Sequence, residues 1–152
     1  MDDRSTRRLS LFLRAYGTVS LALFGALLLA FVVRWPAIDE GAPLHWVIWD
    51  RVTHHVAPML FAIYIVWSAY LLRAARDPAR YASFLDFTLW ANLAHAAVMA
   101  PMAIADPMYH SKLLTDIPFI LLLCGALAIW RPSRRRNGAA PGDLGATRPA
   151  AR

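Results

Sequence analysis

The chain has little charge. Of its 152 residues, 17% are Asp, Glu, Lys or Arg, while 59% belong to the hydrophobic set. A soluble domain of this length is less apolar and breaks its apolar runs with charge. There is one cysteine, Cys124, which excludes an intramolecular disulfide and reads as a small apolar packing residue. No serine stands in a G-x-S-x-G turn, and no Gly-rich phosphate loop is present. There is also no H-E-x-x-H pair and no pair of carboxylates at hydrolase spacing. These gaps leave nucleophilic catalysis, phosphate-loop chemistry and zinc hydrolysis without support. The segment Thr6-Arg7-Arg8-Leu9-Ser10-Leu11-Phe12 has the outline of a twin-arginine export signal. However, the charge-free run Ala15–Val33 has 19 residues and no A-x-A site follows it. It therefore reads as a retained span, not a cleaved signal.

What the chain does have is four long apolar runs: Leu9–Val33, Val52–Leu72, Phe84–Ala105 and Leu113–Trp130. A helix rises ~1.5 Å per residue and a bilayer core is ~30 Å thick, so ~20 residues cross it. The expected fold class is all-α, a four-helix bundle integral to a membrane. Residues 1–8 form a short tail, 9–131 the transmembrane domain and 132–152 a basic tail. That last tail is Gly/Ala/Pro-rich without periodicity, and its composition predicts disorder.

The basic residues are sorted. Thirteen of the sixteen lie in the N-terminal segment, the connection after span two, or the C-terminal tail; Arg34, Arg51 and Lys112 lie on the other side. This positive-inside pattern predicts cytoplasmic termini. It also accounts for the net charge of +6 without nucleic acid. The partners expected are the bilayer itself, anionic lipids at Arg131–Arg136, and either a second copy of the chain or a membrane subunit.

Residues Arg34–Arg51 form the longest connection. Trp35-Pro36 stops span one, Asp39–Pro43 reads as a turn, and His45–Arg51 mixes aromatics with charge as an interfacial segment does. Gly17 and Gly25, two turns apart in span one, predict a face that touches another helix. Pro58, Pro101 and Pro118 all fall in the half of the membrane away from the tails. Each proline past the first turn frees the carbonyl four residues back. In lipid such a carbonyl needs a partner, so this half is expected to be irregular and hydrated.

Intramembrane polar groups are expensive and face the bundle interior. In span three, Thr88, Asn92, His95, Met99, Met102 and Asp106 follow three-four spacing along one stripe. Counted from the tail-side helix ends, Asn92 lies at ~12 Å, His95 at ~16 Å, Asp116 at ~21 Å, and His54 and His55 at ~26 Å. The candidate ligand- or ion-binding residues are accordingly His54, His55, Asn92, His95 and Asp116, with no catalytic residue assigned. The sharpest expectation is that His95 and Asp116 approach each other in a cavity open to the outside. An Asp–His pair in a low-dielectric site can relay protons. Bis-His haem would need two imidazoles at one depth, whereas His95 and His54 differ by ~10 Å. A metal has suitable ligand types in His95, Asp116 and His54 or His55, but no recognised spacing. No cofactor is therefore expected, with haem or a metal as the alternatives.

Trp90, Asn92 and His95 in span three, Asp116-Ile117-Pro118 in span four and His54-His55 at the head of span two form an arrangement that resembles small bacterial four-span proteins of unknown function. The resemblance covers residues 9–131. It implies an inner-membrane protein and brings no activity with it. Three classes stay open. One is a non-enzymatic membrane protein whose polar groups tie helices together. Another is a binding or transport protein for a proton, metal or small molecule using His95 and Asp116. The third is a membrane enzyme acting on a lipid-soluble substrate.

Overall fold

A computed structural model describes residues 3–39, 41–47 and 56–130. Four α-helices dominate: α1 (Asp3–Val32), α2 (Val56–Ala74), α3 (Ala82–Ala105) and α4 (Asp116–Trp130). Short 3-10 helices, Pro36–Ile38 and His45–Val47, follow α1, and a longer one, Pro107–Leu113, leads into α4. α1, α2, α3 and the continuous stretch Pro107–Trp130 are each long and apolar enough to cross a membrane. The helix of span one begins six residues before the apolar run, so residues 3–8 of the short tail are helical. Span four is composite, with seven residues of 3-10 helix before fifteen of α-helix. Residues 48–55, which include His54 and His55, and the tail 132–152 lie outside the described residues.

The helix ends follow local chemistry. α1 closes with Arg34 in the left-handed region at φ 51°. Trp35 N–H bonds the Ala30 carbonyl and Arg34 N–H the Phe31 carbonyl, the paired arrangement that ends many helices. Pro36 then prevents continuation. Gly41 sits at φ 80° in the following turn, a conformation that glycine adopts without strain. After α3, the Asp106 carboxylate accepts the Met108 N–H at 2.9 Å and caps the next 3-10 helix, with Pro107 at its first position.

Packing differs between the two ends. At the arginine-rich end, called here the basic end, all four helices share one core. Leu9, Leu13 and Tyr16 of α1 meet Leu71 and Ala74 of α2, Leu85 and Leu89 of α3, and Leu123, Cys124 and Leu127 of α4. Gly17 belongs to this region. A Cβ there would lie 3.0 Å from Leu72 Cδ2 and 3.4 Å from Leu71 Cβ, so the missing side chain is what lets α1 and α2 approach. Gly25 differs from expectation: a Cβ there would meet nothing within 4 Å. Eight residues at 100° each leave the two glycines 80° apart, and at the level of Gly25 the rings of Phe24, Phe61 and Tyr64 fill the α1–α2 interface.

At the far end the core divides. Ala30, Ile38 and Ala57 form one cluster between α1 and α2. Met99, Ala103 and Ile117 form another between α3 and α4.

Candidate functional site

Polar and aromatic contacts join the two helix pairs where the common core ends. Lys112, the sole lysine of the chain, is 1% exposed. Its Nζ donates to the Val47 carbonyl at 2.9 Å, 65 residues away in sequence. It also pairs with Asp116 Oδ2 at 3.2 Å across one helical turn. The lysine thus fastens the connection after α1 to the start of α4. The sequence placed Lys112 only on the side of the membrane away from the tails and said nothing of its burial. The four-residue spacing to Asp116 was a visible signal; the Val47 carbonyl was not, because it depends on tertiary packing.

Asp116 faces the bundle. Its charge reaches the Tyr64 hydroxyl and the His95 ring. The ion pair that Asp116 makes across this turn is with Lys112. His95 makes a ring contact with Tyr64, with centroids 6.4 Å apart and planes at 80°. Neither ring nitrogen of His95 has a hydrogen-bond partner among the described residues, and the side chain is exposed at the flank of α3. Ile117, next to Asp116, packs with Met99 and Ala103, which puts Asp116 about one turn, ~6 Å, above His95.

The rest of the span-three stripe splits by depth. Thr88 is fully buried and Met99 nearly so. Asn92 is half-buried, and its side-chain amide donates to the Thr88 carbonyl of its own helix at 2.8 Å. Met102 and Asp106 are exposed. A 3.5-residue spacing drifts ~20° per heptad around a straight helix, so a stripe that starts in the core leaves it by the far end. The buried ridge runs through Leu85, Leu89, Ala96 and Ala103, small and branched side chains that suit close packing.

Sequence reasoning missed the aromatic residues that organise this interior. A chain of ring contacts runs the length of the bundle. Trp130 touches Phe12 at 6.0 Å, Phe12 touches Tyr16 at 5.7 Å, and Tyr16 touches Trp67 at 6.4 Å. It continues from Trp67 to Tyr64 at 6.0 Å and from Tyr64 to Phe24, stacked at 4.7 Å. Beyond Phe24 it ends through Phe61 at Phe31. Tyr16 also stacks on Phe119 at 4.4 Å and donates to its carbonyl at 3.2 Å. Trp67 Nε1 donates to Thr88 Oγ1 at 3.3 Å, tying α2 to α3. Spacings of three and four, as in Phe12–Tyr16 and Tyr64–Trp67, were readable; their partners on other helices were not.

Among the described residues, no group of three or more His, Cys, Asp and Glu side chains converges as a metal would require. His54 and His55, which the haem and metal alternatives also involve, lie outside those residues.

Fold and composition together define a helical multi-pass membrane protein. The chain belongs to a family of unknown function, DUF6632, whose model matches residues 9–143. No curated protein and no solved structure matches it.

Proposed function

We propose that this is a non-enzymatic protein of the bacterial inner membrane, with both termini in the cytoplasm. In this reading it presents a polar binding site between its two helix pairs, open to the outer side. The observation that carries the reading is His95, an imidazole in a membrane span with no hydrogen-bond partner among the described residues. It sits against Tyr64 and within the field of Asp116. A polar intramembrane group without an internal partner is costly unless water or a ligand satisfies it. Binding is favoured over acid–base turnover because Asp116 is committed to Lys112 at 3.2 Å. A carboxylate held by an ammonium is a fixed charge, poorly suited to pass a proton through a catalytic cycle. The chemistry on offer suits a proton or a small polar solute, with His95 and Tyr64 as contacts and Asp116 setting the local potential. His54, His55 and Asn92 remain candidate contributors in this reading.

The test uses a Cys124→Ala background carrying His95→Cys and a membrane-impermeant maleimide. The reagent is added to spheroplasts or to inverted vesicles. Modification in spheroplasts alone supports both the outward site and the orientation. Modification in inverted vesicles alone overturns the orientation, and no modification in either overturns the open site.

A further inference from the structure

At the basic end, a groove of about 530 Å³ lies between the start of α1 and the turn after α2. Arg7 and Arg14 line it from α1, Arg76 from the turn, and Leu11 and Thr6 lie between them. Arg7 and Arg14 are two turns apart on one face, a rise of ~10 Å, within reach of one another's guanidinium groups through long side chains. Among the described residues none of these three arginines has an ion-pair or hydrogen-bonding partner. The lining holds a single acid, Asp3, so positive charge exceeds negative by two. The Ser10 hydroxyl is already used, bonding the Ala75 carbonyl and closing the floor of the groove. Leu11 is 69% exposed and supplies an apolar wall between the two α1 arginines.

Three guanidinium groups with no partner among the described residues line one groove, and an anion entering it would meet a net positive charge. Their planar donor forks match phosphate oxygens in paired hydrogen bonds. The positive-inside rule accounts for arginine on this side of the membrane, but not for three of them lining one concavity against a single acid, Asp3. The residues beyond Trp130 offer no competing occupant, since they carry Asp143 against six arginines.

We infer that this groove is a phosphate-binding site, formed by Arg7, Arg14 and Arg76, that takes the phosphate of an anionic headgroup or a free phosphate. With a lipid, Leu11 would lie against the first acyl carbons while the arginines hold the headgroup. The inference is independent of the far-end site and of the orientation proposed above.

The experiment is a thermal melt of the full chain in neutral detergent, followed by tryptophan fluorescence. Phosphatidylglycerol, phosphatidylcholine or inorganic phosphate is titrated in. Phosphatidylglycerol should raise the Tm saturably, and phosphatidylcholine should not. Replacing Arg14 and Arg76 by Gln should raise the half-saturating lipid fraction about thirtyfold, at roughly one surface arginine's contribution each. Arg14→Lys with Arg76→Lys keeps the charge and serves if the Gln pair folds poorly; losing the fork geometry should cost it part of the affinity. Replacing Arg134, Arg135 and Arg136 by Gln should leave the half-saturation point unchanged, separating the groove from the basic tail. A rise with phosphatidylglycerol alone assigns the lipid headgroup; an arginine-dependent rise with inorganic phosphate as well assigns a soluble phosphate. No rise with either, or equal half-saturation in the wild type and both groove variants, overturns the site.

Discussion

The two ends of this bundle are held together by different forces. At the basic end, leucines from four helices meet in one apolar cluster, and Gly17 lets two backbones close on each other. At the far end, the apolar contacts separate into an α1–α2 cluster and an α3–α4 cluster. There the pairs are joined by a buried lysine and a histidine–tyrosine ring contact. Lipid is as apolar as leucine, so leucine packing in a membrane gains only close fit. Polar contacts are directional and break one at a time. The difference distinguishes a half held by one shared apolar core from a half held by a few directional contacts, and His95, whose ring nitrogens have no hydrogen-bond partner among the described residues, lies in the second.

Removing Lys112 attacks the far end most directly. Lys112→Met keeps the length of the side chain but leaves Asp116 without its ammonium and Val47 without its donor. Losing one partner of a buried pair costs 3–5 kcal/mol. With Asp116 34% exposed, the lower figure, about 3 kcal/mol, is expected in a denaturant titration in detergent. Asp116→Leu in the same chain should restore part of that loss, because the carboxylate that lost its ammonium is then gone. If Lys112→Met is neutral, the far end is not held by this pair and the comparison fails.

The glycines test both halves with one chemical change. Gly17→Leu must push into Leu72 and Leu71 at 3.0–3.4 Å, and overpacking of this kind costs about 1–3 kcal/mol. Gly25→Leu enters open space and should change stability by no more than about 0.5 kcal/mol. Equal effects would show that the two halves pack alike.

How much of this was readable from the chain follows from the range of each interaction. The four spans were legible because length and apolarity are local properties. Expecting one contact face from two glycines failed at Gly25, because their 80° offset is local but the rings that separate α1 from α2 there come from both helices. The interior placement of Asp116 could be read from its position in an apolar run. Its four-residue spacing to Lys112 was visible too, but the burial of that lysine was not, since it requires the Val47 carbonyl from a connection 65 residues earlier. The 3-10 helix Pro107–Leu113 decides which way Lys112 points, and Asp106 with Pro107 signals the start of that turn but not its seven-residue length. The ring chain from Trp130 to Phe31 was hidden for the same reason as the lysine: each ring is visible in sequence, and each cross-helix neighbour is not.

A small expected loss, well below those at Lys112 and Gly17, lies where the two regimes meet. Trp67 Nε1 donates to Thr88 Oγ1 at 3.3 Å, between the common core below and the divided one above. Thr88 is fully buried, so the indole N–H has no water to turn to if the hydroxyl is removed. Thr88→Val keeps the shape and deletes the acceptor. Interhelical hydrogen bonds in membrane proteins average about 0.6 kcal/mol, so the stability loss should be about that size. Trp67→Phe deletes the donor and also part of the ring, and should cost more because Tyr16 and Tyr64 both pack on that indole. Adding Thr88→Val to Trp67→Phe should then cost nothing further, since the bond is already gone and valine fills the same space. If the double variant instead loses the full sum of the two single changes, Trp67 and Thr88 are not coupled. The link between α2 and α3 would then rest on ring packing alone, and the boundary between the halves would lie nearer the basic end than the Trp67–Thr88 contact.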